Sequence, residues 1–139
     1  MVIYIALDDK NGMMFNRRRQ SKDRVLREDM LNDIGENKLW FNEYTAKQFE
    51  EVLPANAVVD NNFLDKAEKN DGCFVENMAL AEYTGKIEKF VLYKWNRVYP
   101  ADMYFDIDLS AAGWKQESIS EFAGSSHEKI TKEVWLREV

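Results

Sequence analysis

Six positive side chains surround one carboxylate in a single short stretch: Arg17, Arg18, Arg19, Lys22, Arg24 and Arg27, with Asp23 among them. A guanidinium holds phosphate or carboxylate oxygens in a bidentate fork, so Arg17, Arg18 and Arg19 are the candidates to grip an anion. Residues 17–27 carry a net +5 while the whole chain carries −6, so the remainder carries −11. An acidic body with one basic spot suits a compact anionic ligand, and it argues against general nucleic-acid binding, whose footprint is basic. Asp23 has two readings. As a partly buried carboxylate it would have its pKa raised toward neutrality and could protonate or anchor a bound heterocycle. As a first-turn helix carboxylate it would favour the helix dipole and pair with Arg19 or Arg27.

Other chemistry-bearing residues are sparse. His127, the only histidine, lies in the polar run Gly124-Ser125-Ser126-His127-Glu128-Lys129. That run reads either as a ligand-binding or pH-sensitive loop or as a solvated turn held by a serine side chain. Trp95-Asn96-Arg97 either lines a site or fixes the connection to Pro100. The only cysteine, Cys73, excludes an internal disulfide framework, and with one histidine a structural zinc site is not expected, nor any other metal. Cys73 reads as a small buried hydrophobe.

The elements that must position these residues follow from periodicity. The chain has 139 residues, 45% hydrophobic and 13% aromatic, which suits one domain spanning 1–139. No apolar run approaches the roughly 20 residues of a membrane span. The N-terminus has no basic n-region, so it reads as a first strand and the protein as cytoplasmic. Residues 2–7 form a continuous apolar run closed by the turn dipeptide Asn11-Gly12, as in a buried central strand. Ser21 is a candidate N-cap for a helix over 22–34, with Leu26, Met30 and Ile34 as its apolar stripe and Gly35 beyond its end. Short strands are expected at 38–41, 57–59 and 73–75, and helices at 45–53, 63–69 and 77–83. Residues 90–95 are the strongest strand, followed by strands at 103–107, 114–122 and 130–136. Ile130, Val134 and Leu136 share one parity, as in a half-buried strand. Repeated β-α-β units and a closing hairpin predict an α/β fold, its sheet mostly parallel with an antiparallel edge.

Several of these segments resemble dihydrofolate reductase. Residues 3–11 are similar to that family's first strand and turn, Phe90-Val91-Leu92-Tyr93 to the strand after its last helix, and Ala101 to Asp108 to its Gly-Asp-Thr-x-Phe-Pro segment. Trp114, Glu121-Phe122 and Glu133 to Arg137 resemble its last two strands. The resemblance implies a dihydrofolate reductase-like domain with helices on both faces of the sheet. It also implies an NADPH-dependent reductase of a pterin-like substrate, with Asp23 as the substrate-side acid. Tyr4, Ile5, Ala6, Leu26, Met30, Tyr93 and Trp95 would then wall the pocket.

The cofactor motifs depart from the family pattern. Where the family has an apolar pair and Gly-Gly, this chain has Phe74-Val75-Glu76-Asn77, and a glutamate there would repel a phosphorylated cofactor. Where the family has Gly-Arg-x-Thr, this chain has Asn42-Glu43-Tyr44-Thr45, in which only Thr45 matches. The Leu-Pro-Trp segment of the mobile loop is absent. No cofactor is therefore assigned, and NADPH stays open although its Gly-Gly and Gly-Arg-x-Thr motifs are missing. The chain also resembles a small family of bacterial proteins often labelled ribonuclease Z, through Asp9 to Phe15, Arg18-Arg19-Gln20-Ser21, Trp95 to Pro100 and Gly124 to Thr131. That label implies a dinuclear zinc phosphodiesterase, which a chain with one histidine does not build. Three functions remain open: a reductase, a non-catalytic module binding a small anionic or heterocyclic ligand, and a protein-interaction domain with Trp135 on an edge strand as its anchor.

Overall fold

The computed structural model describes residues 1–49 and 52–138. Strand β1 (Val2–Leu7) opens the chain, and a hairpin of β2 (Gly12–Phe15) and β3 (Arg18–Arg19) follows it. Next come helix α1 (Arg24–Ile34), β4 (Leu39–Phe41), α2 (Glu43–Ala46) running into a 3-10 turn (Lys47–Phe49), β5 (Ala57–Val59), α3 (Phe63–Lys66) and β6 (Gly72–Phe74). A 3-10 segment (Ala81–Lys86) leads into β7 (Lys89–Lys94), β8 (Met103–Tyr104), β9 (Trp114–Phe122) and β10 (Ile130–Arg137).

Seven strands form one sheet in the order β5-β4-β6-β1-β7-β10-β9, and β3-β2-β8 form a small second sheet. β1 runs parallel to both β6 and β7, while β10 is antiparallel to β7 and β9. The central position of β1 explains its unbroken apolar run, since both faces are covered. Ile3, Ile5 and Leu7 point to one face, among Phe63, Leu64, Phe90 and Leu92. Tyr4 points to the other, where α1 lays Leu26, Met30 and Ile34 against Phe41, Val91, Tyr93 and Trp95. Each such side chain contributes about 1.5–3 kcal/mol on full burial. The helix stripe ends as expected: Gly35 has φ +61° and its N–H donates to the Leu31 carbonyl at 3.1 Å. At Gly72 a Cβ would stand 2.6 Å from Ile34 Cδ1, so α1 can pack directly on β6 only over a bare backbone. No helix among the described residues is long and apolar enough to cross a membrane.

Several elements differ from the sequence expectations. The N-cap of α1 is Asp23, and Ser21 lies two residues before that cap. The helix expected over 45–53 is the short α2 and its 3-10 turn; residues 50 and 51 lie outside the described residues, and Val52 and Leu53 are exposed. α3 stops at Lys66. No α-helix forms over 77–83. That stretch has no apolar stripe, and the Asp106 carboxylate takes the backbone N–H groups of Leu80 and Ala81 at 2.9–3.1 Å. β8 is two residues long. β10 lies inside the sheet, β9 being the edge strand, so Trp135 is no edge anchor. The register with β9 shifts between Val134 and Trp135, where Glu117 of β9 is the extra residue, and Trp135 packs on the face of the sheet opposite Val134.

Candidate functional site

The basic stretch is a tight hairpin. Asn16 and Arg17 both have positive φ (54° and 62°), as a two-residue type I′ turn requires, and Met14 pairs with Arg19 and Phe15 with Arg18. The Asp102 carboxylate holds the turn by accepting the Asn16 N–H at 3.0 Å. Strand alternation then separates the three arginines. Arg17 lines a cleft of about 300 Å³ with Met14, Asn77, Asp102 and Met103, and Arg18 lines another with Arg19, Phe15, Gln20 and Tyr99. Arg19 turns inward. Contrary to expectation, the triplet does not converge on one anion.

Arg19 is committed to Glu76. Its Nε and Nη2 donate to the two carboxylate oxygens at 2.8 and 3.1 Å, and its guanidinium lies 4.5 Å from the centre of the Tyr44 ring. The same carboxylate accepts from Thr45 Oγ1 at 2.9 Å and Gln48 Nε2 at 2.6 Å. Local structure aims these donors. Asn42 caps α2 by accepting the Thr45 N–H, and its own amide donates to Asn77 Oδ1 at 2.8 Å. Glu76 lies two residues beyond the end of β6 and is buried. Arg19, Thr45 and Glu76, read in the sequence as an anion-gripping arginine and two positions of the cofactor motifs, thus share one network with Asn77 beside it. The network is an anion site whose anion is the protein's own carboxylate.

Asp23 sits in a second polar cluster. It caps α1 by accepting from Val25 N and Leu26 N, and it accepts from Ser125 N and Ser126 N at 3.0 and 2.9 Å and from both serine hydroxyls. His127 Nδ1 lies 3.1 Å from its Oδ2. Burial opposes the charge, yet these hydrogen bonds outweigh it and hold the carboxyl well below the usual carboxylate range. The expected rise toward neutrality is therefore corrected: Asp23 is an ionised acceptor, and it pairs with neither Arg19 nor Arg27. At Gly124 a Cβ would meet the Asp23 carboxylate oxygen at 2.4 Å, so the β9–β10 loop needs glycine to close over it.

His127 is only 5% exposed, far from a solvated turn. Its ring stacks on Trp95 with centroids 4.3 Å apart. Ionised Asp23 only accepts, so in the neutral imidazole Nδ1 carries the proton and Nε2 is the acceptor. Ser21 Oγ and Tyr99 Oη each stand 3.1 Å from Nε2. Tyr99 is held in turn by buried Asp8, whose carboxylate accepts from the backbone N–H groups of Tyr99, Gly12 and Lys10 and from Gln20 Nε2. Asn96 donates to Lys129 O and Thr131 Oγ1, so it fixes the end of β7 to the start of β10.

In front of this cluster lies a cleft of about 570 Å³ lined by Arg19, Ser21, Lys22, Arg24, Arg27, Ser125 and Ser126. Arg24 pairs with Glu28 at 2.8 Å, whereas Arg27 has no ion-pair partner among the described residues. The pocket expected beside β1 is closed. Ile5 packs on the opposite face of the sheet from Met30, Tyr93 and Trp95, and all four are buried in core. Ala6 packs against the Tyr93 side. The tyrosine hydroxyls that reach into this region are also occupied, Tyr4 by Asp33 at 2.6 Å and Tyr93 by Asp29 at 2.7 Å.

Among solved structures, the chain is similar to dihydrofolate reductase from Enterococcus faecalis, described as complexed with NADP(H) and RAB-propyl. The TM-score is 0.72, with 99% of this chain and 96% of that one covered. The fold is that of dihydrofolate reductase. Sequence identity is 11%, so the likeness carries the fold alone. No protein-family model matches the chain, and no curated protein sequence matches it.

Proposed function

We propose that this chain uses the dihydrofolate reductase fold to bind a small anionic ligand and does not work as a nicotinamide-dependent reductase. The cleft in front of Ser21 carries the reading. Four cationic side chains and three serines line it, no acidic side chain is among its described lining residues, and Arg27 has no ion-pair partner among the described residues. Arg27 is therefore the residue we assign to the ligand, with Lys22, Arg24, Ser125 and Ser126 around it.

The residues do not fit a nicotinamide cofactor. Thr45, Gln48 and Arg19 are the donors that would meet a phosphorylated group at the end of β6, and Glu76 already occupies them. A carboxylate standing at that place would repel a phosphate, and the core closes the substrate pocket beside β1. Asp23 could not supply a proton near neutral pH, because its hydrogen bonds keep it ionised.

A thermal-shift titration with inorganic phosphate and, separately, with NADPH tests this. Phosphate is expected to raise the melting temperature of the wild type and to lose most of that effect in Arg27→Ala. NADPH mixed with dihydrofolate should show no loss of nicotinamide absorbance above a protein-free control. Protein-dependent oxidation of NADPH, or equal phosphate stabilisation of both proteins, would sink the proposal.

A further inference from the structure

Ser21, His127 and Asp23 stand in line, although they come from the end of the hairpin, the β9–β10 loop and the cap of α1. Asp23 Oδ2 accepts from His127 Nδ1 at 3.1 Å, and His127 Nε2 faces Ser21 Oγ at 3.1 Å. This is the relation of orienting carboxylate, general base and hydroxyl nucleophile that activates serine. The carboxylate and the imidazole are buried, while Ser21 is half-buried and lines the basic cleft. We propose that Ser21 is a nucleophile activated by His127, acting on carboxylic esters that carry an anionic group.

Three observations separate this from a purely structural cap. Asp23 already has the Val25 and Leu26 N–H groups for the helix and the Ser125 and Ser126 N–H groups for the loop, so His127 is not needed to satisfy it. Nε2 has one lone pair, which the Tyr99 and Ser21 hydroxyls share at 3.1 Å each, and Ser21 is the one of the two that lines the basic cleft. Stacking on Trp95 fixes the ring plane, and the Asp23 contact fixes its tautomer.

The chemistry balances without a cofactor. Ser21 Oγ attacks the ester carbonyl carbon and its proton passes to His127 Nε2. The carbon–oxygen bond to the leaving alcohol breaks, and the alcohol takes that proton. Water then attacks the acyl carbon and gives a proton to Nε2, and Ser21 Oγ leaves and recovers it. The sum is ester plus water to carboxylic acid plus alcohol. The cationic side chains of the cleft oppose the negative charge that develops on the carbonyl oxygen, and they select an anionic substrate. That selection rests on the proposed anion cleft; the nucleophile does not.

The test treats the intact protein with a fluorophosphonate probe, maps the labelled residue by mass spectrometry, and follows hydrolysis of p-nitrophenyl succinate and p-nitrophenyl butyrate. Labelling of Ser21 and faster turnover of the succinate ester are expected. Ser21→Ala should abolish both. His127→Gln should slow turnover by about 10²–10⁴-fold. Should His127→Gln fail to fold by circular dichroism, Ser21→Ala still decides, because it deletes one half-exposed hydroxyl. No labelling and no hydrolysis by wild type that binds phosphate would overturn the nucleophile and leave the anion cleft standing. Labelling of Ser21 with no preference for the anionic ester would overturn the substrate class and count against the cleft.

Discussion

Replacing Glu76 by alanine removes the acceptor of four hydrogen bonds, two of them from Arg19. The Arg19 guanidinium, the Thr45 hydroxyl and the Gln48 amide are left facing each other around a space the size of a carboxylate. Removing one partner of a buried ion pair costs about 3–5 kcal/mol. The Arg19 side chain is 21% exposed, so water softens the loss toward the lower end of that range, about 3 kcal/mol. With a urea m-value of about 2 kcal/mol/M, the unfolding midpoint should fall by about 1.5 M. A second consequence is more specific. The vacated donors should take a small external anion, so phosphate should stabilise Glu76→Ala more than it stabilises the wild type. At a phosphate concentration about 100 times the dissociation constant the gain is about 2.7 kcal/mol, which would return most of what the substitution removed. Urea unfolding at constant ionic strength, with sulfate-free chloride and with phosphate, reads both quantities. A midpoint shift below about 0.5 M, or equal phosphate stabilisation in both proteins, would refute the claim that Glu76 fills an anion site.

Arg19→Ala and Glu76→Ala should be non-additive, with a coupling energy of about 0.5–3 kcal/mol in a double-mutant cycle read by urea unfolding. Gly124→Ala should lower the melting temperature, because its Cβ meets the Asp23 carboxylate at 2.4 Å and Ile130 Cδ1 at 2.9 Å, and backbone N–H groups hold that carboxylate in place. Asp23 has a folded-state pKa below its unfolded value, so its contribution to stability is present above about pH 4 and is lost as pH falls further. The fall in melting temperature between about pH 5 and pH 2 should therefore be shallower in Asp23→Asn than in wild type.

Much of the fold is legible in the residues that pattern it. The unbroken apolar run of β1 reads as a central strand because parallel neighbours cover both its faces. Leu26, Met30 and Ile34 are spaced for one helix face, and Gly35 marks where it ends. The stretch 77–83 misleads because its conformation is set by Asp106, far along the chain, through the Leu80 and Ala81 N–H groups. Long-range contacts hide the site in the same way. Ser21 and His127 are 106 positions apart, and nothing in a serine-rich loop announces that its histidine is buried under Trp95. The three arginines read as one charge cluster in the sequence, but the two-residue turn at Asn16 and Arg17 puts Arg17 in a cleft of its own, and Arg19 is held by Glu76. Glu76 reads as a repelling charge until the hairpin brings Arg19 onto it.

The cleft beside Ser21 is the centre of the account, and calorimetric titration of inorganic phosphate into wild type and Arg27→Ala at low ionic strength tests it most directly. Saturable binding of one phosphate by the wild type, weakened at least about tenfold in Arg27→Ala, corresponds to the loss of about 1.4 kcal/mol and is the predicted result. No measurable heat of binding in the wild type, or the same affinity in both proteins, would contradict it.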